Sequence, residues 1–180
     1  RKAMTNRRQF LQTAVVASLS GAAFGVSASN VCDKPAKWNK ETEVLVIGSG
    51  GAGLAAAVSA AQGGAKVTVM EKLSFVGGNT MLCSGYYNCA DPKRQNPLGI
   101  KDSVELHIKQ TLAAGDNRAD PNLVRILCEQ GLPTLEWLES IGMKFDDRID
   151  QAYGALHPRS HLASKAKGAG YIEVLKKKCD

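Results

Sequence analysis

The chain has 180 residues, with 23 Lys and Arg against 17 Asp and Glu, and its net charge is +6. A hydrophobic share of 44% and a charged share of 22% are typical of a globular protein and exclude a disordered tail, a collagen-like fibre and a disulfide-dense miniprotein. The length allows one domain or slightly more. Removing residues 1–28 leaves 19 basic against 17 acidic residues, so the charge does not indicate a nucleic-acid partner.

The N-terminal segment has the three parts of an export signal. Basic residues include the pair Arg7-Arg8, an apolar run covers 13–26, and Val26-Ser27-Ala28 places small residues at a cleavage site. An arginine pair followed by Gln-Phe-Leu resembles the twin-arginine signal, an address for proteins exported in the folded state. We therefore expect a signal peptide over 1–28, recognition by the twin-arginine machinery and a periplasmic protein. A disordered tail with a chance arginine pair is the alternative.

A strand, a glycine turn, a helix and a second strand follow one another after a polar linker over 29–42. The run 43–47 is apolar and β-branched, which predicts a strand buried on both faces of a parallel sheet. The Ala-rich segment 54–62 predicts a helix, which Gly63-Gly64 ends, and 66–70 predicts the second strand. Glu71 closes this unit.

The glycine spacing between the first strand and the helix predicts a dinucleotide site. Gly48 allows a sharp turn, Gly50 leaves room for a pyrophosphate, and Gly53 lets the helix pack close to the strand. The helix N-terminus attracts phosphates, and an acid at the position of Glu71 accepts hydrogen bonds from a ribose. An Ala- and Gly-rich helix start without a ligand is the alternative.

The stretch after Glu71 carries a resemblance to a known family. It contains Gly77-Gly78-Asn79-Thr80 and Ser84-Gly85, and it resembles the flavoproteins that include fumarate reductases, succinate dehydrogenases, flavocytochrome c, urocanate reductase and 3-ketosteroid dehydrogenases. Segments 100–103, 120–124 and 137–142 look like the flavocytochrome c branch. The resemblance implies an α/β fold, with a Rossmann-like FAD-binding βαβ domain and additional helices, and FAD in place of NAD.

The resemblance also implies which residues contact the cofactor. Together with the glycine spacing it gives ten cofactor-binding positions: Gly48, Gly50, Ala52, Gly53, Glu71, Gly78, Asn79, Thr80, Ser84 and Gly85. The family often has Gly-Gly where this chain has Tyr86-Tyr87, which either places bulk near the flavin or serves packing. Membrane-bound members attach FAD through a His, and no His lies between Glu71 and His107. We expect non-covalent FAD and assign no catalytic residue and no metal ligand.

The expected activity follows from the resemblance. It implies an exported oxidoreductase that reduces the C=C bond of an unsaturated carboxylate such as fumarate. A separate cytochrome or quinol-linked donor would supply the electrons, since the sequence contains no Cys-x-x-Cys-His haem motif. Residues 43–180 are expected to form the N-terminal part of an FAD domain, with a capping domain and the C-terminal part of the FAD domain missing, so the 180-residue chain alone is expected to be catalytically incomplete. A non-catalytic truncated FAD-binding remnant, a 3-ketosteroid dehydrogenase and an NAD(P)-binding domain are the alternatives.

The remaining segments read mainly as packing elements. Helical patterns cover 102–114, 121–130 and 133–142, and 168–178 resembles the next helix of the family. The segment 152–161 is expected to be a loop near the flavin or a solvated turn. Pro158 between His157 and His161 argues against a metal-binding pair on a helix. Small apolar packing is expected for Cys83, Cys89 and Cys128.

Overall fold

The computed structural model describes residues 37–165 and 167–180, and Glu41–Asp180 form one compact unit. The predicted signal peptide and the first part of the linker lie outside the described residues. The strands are β1 (Val44–Ile47), β2 (Val67–Met70), β3 (Tyr86–Asn88), β4 (Phe145–Asp150) and β5 (Ser160–Ala163). The α-helices are α1 (Gly51–Gln62), α2 (Pro92–Gln95), α3 (Val104–Ala114), α4 (Pro121–Glu129), α5 (Gly131–Ser140) and α6 (Gly168–Cys179).

The predicted βαβ unit is present. β1 and β2 are parallel, with Val44 opposite Val67 and Ile47 opposite Met70. α1 connects them and buries Leu54, Ala57 and Val58. This helix begins at Gly51, three residues earlier than the Ala-rich run predicts, so the glycine turn itself forms the first helical turn.

The prediction that the first strand is buried on both faces is wrong for the described residues. Val44 and Val46 are half-buried, whereas Leu45 is 51% and Ile47 83% exposed. Side chains of a strand alternate between its two faces, and within residues 37–165 and 167–180 only one face of this strand is covered. Because residues 44–47 are all apolar, the sequence could not predict which face of the strand is covered.

A second sheet has the antiparallel order β3–β5–β4, with Tyr87 opposite His161 and Phe145 opposite Ala163. One hydrophobic core joins it to the βαβ unit, because buried residues of α1, α5, α6 and β4 contact one another. The residues of these elements in this core are Leu54, Val58, Leu135, Leu138, Phe145, Tyr171, Ile172 and Leu175.

Side-chain caps mark the starts of α3 and α4. The Ser103 hydroxyl accepts a hydrogen bond from the Leu106 amide at 3.0 Å at the start of α3, and Asp120 caps α4, whose first residue is Pro121. α5 begins at Gly131 and not at Pro133, since a proline is tolerated in a first turn whose N–H groups have no helical partner. The loop predicted after Gly77 contains a short 3₁₀ helix, Gly78–Leu82.

A buried polar network links the second sheet to α2 and α3. Arg159 makes a two-point contact with Asp102, with Nε to Oδ2 at 3.0 Å and Nη2 to Oδ1 at 2.7 Å. His161 places Nε2 3.2 Å from Oδ2 of Asp91, and Arg94 donates to the same oxygen at 2.7 Å. Burial raises the pKa of Asp91, but hydrogen bonds, chiefly from Arg94, outweigh it and hold the pKa below its ordinary value.

The network corrects the interpretation of segment 152–161. Residues up to Arg159 form a loop, but Ser160 and His161 belong to β5, and the His161 side chain is fully buried. His157 is partly exposed and contacts the carbonyl of Lys101 at 3.1 Å. His161 is therefore not part of a solvated turn. It also does not lie beside His157 as a second ligand for a metal ion.

The first prediction concerns the buried Arg159–Asp102 pair. Arg159→Met leaves a fully buried carboxylate without its cation, so the free energy of unfolding should fall by about 3–5 kcal/mol. Urea unfolding followed by circular dichroism measures the change. Arg148→Met is the matched control, because Arg148 lies 61% exposed beside Asp146 and Asp150 and should cost about 1 kcal/mol or less. Equal losses in the two variants would contradict the prediction.

Candidate dinucleotide-binding site

The glycine turn brings the end of β1 against the start of α1. Gly48 has φ +98°, and its amide donates to the Met70 carbonyl at 2.7 Å. A Cβ on Gly53 would overlap the Gly48 carbonyl oxygen and approach a Val46 methyl carbon at 3.4 Å. The predicted role of Gly53, close packing of helix on strand, is thus present in the geometry.

The space in front of Gly50 is open. A Cβ built on Gly50 would meet only the Gly77 carbonyl oxygen, at 3.9 Å. The first N–H groups of α1, which include those of Ala52 and Gly53, have no acceptor within the helix and lie at the positive end of its dipole. This cradle fits a phosphate group, which supplies the missing acceptors and negative charge.

Glu71 lies at the end of β2 beside this turn. Its Oε2 accepts hydrogen bonds from the Ser49 hydroxyl at 2.6 Å and the Ser49 amide at 3.0 Å, and its Oε1 accepts from the Leu73 amide at 3.0 Å. These bonds lower the pKa of Glu71 from 4.5 to about 2, and the bond from the Ser49 hydroxyl makes the largest contribution to this shift. The carboxylate is therefore charged at neutral pH, and its free lone-pair site on Oε1 can accept a further hydrogen bond from a ribose hydroxyl.

The same pKa shift has a consequence for stability. Since the folded-state pKa of Glu71 lies below its ordinary value, the three bonds stabilise the fold fully above about pH 4.5. That contribution is lost as the pH falls from 4.5 toward 2.

The loop after β2 packs on the glycine turn. The Gly77 amide donates to the Ser49 carbonyl at 3.0 Å, and the Thr80 hydroxyl accepts from the Gly51 amide at 3.0 Å. Thr80 thus lies at the N-terminus of α1, and its own hydroxyl hydrogen can still be donated to a phosphate oxygen. Gly78, with φ +50°, and the exposed Asn79 belong to the same 3₁₀ helix.

Ser84 and Gly85 lie farther along this chain segment. Ser84 is exposed, whereas Gly85 is buried and its carbonyl accepts from the Tyr171 hydroxyl at 3.1 Å. A Cβ on Gly85 would come within 2.7 Å of the Lys167 Cα. Close packing against Lys167 therefore requires glycine at position 85, in addition to the expected proximity of Gly85 to FAD.

The two tyrosines after Gly85 have different surroundings. Tyr87 is partly buried, donates its hydroxyl hydrogen to the Gly131 carbonyl at 3.0 Å, and packs against Phe145 with ring centres 6.3 Å apart. Tyr86 is exposed, and its hydroxyl contacts Asp150 at 3.2 Å. Tyr87 is therefore a packing residue. Of the two tyrosines, Tyr86 is the one whose ring is exposed beside Ser84 and Gly85.

Sequence reasoning missed Ser49 and misjudged Cys83. The middle residue of Gly-x-Gly carries no spacing signal, so the hydroxyl contact with Glu71 could not be read from the sequence. Cys83 is exposed, whereas Cys89 and Cys128 are buried as expected, and burial raises the pKa of Cys89 to about 12.

Two negative findings apply to residues 37–165 and 167–180. No three His, Cys, Asp or Glu side chains come together there in a way that could hold a metal ion. None of the helices in this part of the chain has both the length and the apolar character needed to cross a membrane.

The second prediction concerns Glu71 and Gly50. Glu71→Gln keeps the shape but puts a donor where a ribose hydroxyl must donate, so FAD and ADP should bind about ten- to a hundredfold more weakly. Glu71→Asp should cost less, because the charge survives with a shorter reach. Gly50→Val should cost more than either, since its side chain fills the open space. Fluorescence titration with FAD and calorimetry with ADP measure the affinities, and parent-like binding by Glu71→Gln or Gly50→Val would contradict the site.

Comparisons with known proteins identify the family of the chain. The model of an FAD binding domain family matches residues 43–177. The chain is 35% identical over 181 residues to an acrylate reductase flavoprotein subunit from Shewanella woodyi, covering 99% of this chain and 35% of that protein. It is 32% identical over 183 residues to a urocanate reductase from Eggerthella lenta, covering 91% of this chain and 30% of that protein.

A solved structure shares the fold. The open conformation of a flavocytochrome c3 fumarate reductase superposes with a TM-score of 0.71 at 31% identity, over 98% of this chain and 28% of that one. The chain thus spans about a third of the length of these relatives. It has their α/β architecture, and its cofactor is FAD. The chain belongs to the FAD binding domain family.

Proposed function

We propose that this protein is an exported flavoprotein that reduces the C=C bond of an unsaturated carboxylate. The observation that carries the proposal is the charged Glu71 carboxylate beside an open glycine turn at the N-terminus of α1, in a chain whose relatives act on acrylate and urocanate. The bound FAD would supply the redox chemistry.

The residues of this chain would bind and orient the cofactor. The turn around Gly50 and the first N–H groups of α1 would hold the pyrophosphate, and the Thr80 hydroxyl would add a donor. Glu71 would hold the adenosine ribose. Gly78, Asn79, Ser84 and Gly85 would border the flavin side of the site, as the family resemblance implies. We assign no catalytic role to a residue of this chain.

The mode of attachment and the electron supply are part of the proposal. The absence of a His between Glu71 and His107 in the sequence supports non-covalent FAD. A cytochrome or a quinol-linked protein would reduce the flavin. The similarity to a flavocytochrome c3 fumarate reductase supports a donor of this kind.

The third prediction tests the activity directly. The protein translated from the complete reading frame and loaded with FAD should oxidise reduced methyl viologen when acrylate, fumarate or urocanate is added, and the absorbance of the dye measures the rate. Residues 43–180 alone, expected to be an incomplete FAD domain, should bind flavin without turnover. Gly50→Val is the matched control, because it should lose the cofactor and the activity together.

The other outcomes distinguish the alternatives. Flavin that binds to the protein of the complete reading frame without turnover of any carboxylate indicates a non-catalytic FAD-binding remnant. Reduction of a dye with a 3-ketosteroid as the electron source, without carboxylate turnover, indicates a 3-ketosteroid dehydrogenase. Either result contradicts the proposed function.

The fourth prediction concerns export. Replacing Arg7 and Arg8 together by Lys keeps the charge but removes the arginine pair that the twin-arginine receptor recognises, so a full-length precursor should accumulate in the cytoplasm. Cell fractionation and the mass of the protein measure this. Replacing Arg1 and Lys2 by Gln is the control and should leave processing after Ala28 unchanged. Normal processing of the Arg7 and Arg8 variant would contradict the twin-arginine route.

A further inference from the structure

Ser49 occupies the variable position of the glycine turn, and its surroundings are unusually specific. The residue is 1% exposed and lies between the end of β1 and the start of α1. Glu71 is on one side of it and Gly77 on the other. These neighbours belong to the two segments that the site uses for the adenosine end and the flavin end of the cofactor.

Ser49 forms hydrogen bonds with both Glu71 and Gly77, and the donor and the acceptor of each bond can be assigned. Its hydroxyl is 2.6 Å from Oε2 of Glu71, a charged acceptor, so the single hydroxyl hydrogen is donated there. The amide donates to the same oxygen at 3.0 Å. The Gly77 amide donates to the Ser49 carbonyl at 3.0 Å and lies 3.4 Å from the Ser49 hydroxyl oxygen. One residue thereby contacts both segments of the site.

We propose that Ser49 is a positioning residue for FAD, whose hydroxyl fixes the Glu71 carboxylate in the orientation that accepts the ribose diol and ties this acid to the Gly77–Gly78 turn. The proposal rests on FAD binding at this site and adds a residue to which the family glycine pattern gives no role.

The physical reason is preorganisation. A free glutamate side chain samples many rotamers and loses that freedom when it binds a ligand. Here Ser49 holds Oε2 and the Leu73 amide holds Oε1 at 3.0 Å, so both oxygens are fixed before the ribose arrives. Three of the roughly four lone-pair sites of the carboxylate are then used, and the remaining site, on Oε1, accepts an incoming ribose hydroxyl.

The test is a double-mutant cycle between Ser49 and Glu71. Ser49→Ala should weaken both FAD and ADP by about three- to tenfold, since one hydrogen bond to a charged group is lost. In the Glu71→Gln background the same replacement should weaken ADP by less than about twofold. Ser49→Thr retains the hydroxyl and should restore most of the affinity, and Ser59→Ala, an exposed position on α1, is the control for removing a hydroxyl.

A second measurement separates positioning from packing. The pKa of Glu71, followed by the carbon-13 shift of its carboxyl group, should rise in Ser49→Ala, because the largest contribution that lowers it is removed. A role in packing alone would change the free energy of unfolding without moving this titration. The measurement needs no turnover, so it is independent of whether the protein reduces a carboxylate.

Three results would overturn the proposal. The first is an equal loss of ADP affinity on Ser49→Ala in the parent and in Glu71→Gln. The second is an unchanged Glu71 titration in Ser49→Ala. The third is a parent protein that binds neither FAD nor ADP. Missing reductase activity in a protein whose ADP affinities follow the cycle would contradict only the proposed function.

Discussion

The close contact between α1 and β1 is the constraint on which the site depends. A side chain on Gly53 would overlap the Gly48 carbonyl, so only glycine lets the helix start so near the end of the strand. This contact aims the N-terminal N–H groups of α1 at the space in front of Gly50. The same edge of the sheet carries Glu71, because β1 and β2 are parallel and their C-terminal ends coincide.

The second segment of the site is attached to this turn by hydrogen bonds and by the core. Gly77 bonds to Ser49, and Thr80 accepts from Gly51. Ile172 of α6 lies close to Gly77, where a Cβ would meet its side-chain carbon at 3.2 Å. The loop that would face the flavin is therefore held by the same core that buries Leu54 of α1.

The buried polar network has a structural role at a distance from the turn. Asp91 contacts Arg94 and His161, and Asp102 contacts Arg159. These pairs connect β5 to α2 and to the residues before α3, and they lie among buried neighbours where an unpaired charge would be costly. They hold the antiparallel sheet whose first strand, β3, follows Gly85, so they support the site without belonging to it.

The sequence alone determined the local elements of the βαβ unit and predicted a dinucleotide site within it. The dinucleotide prediction used only the spacing of Gly48, Gly50, Gly53 and Glu71 along the chain. This was possible because the strand, the turn and the helix are consecutive in sequence. Only the tertiary structure decided which face of β1 is covered, that His161 is buried in a strand, and that Ser49 holds Glu71. The last two involve contacts between residues 70 and 22 positions apart in the chain, and neither composition nor periodicity records such contacts.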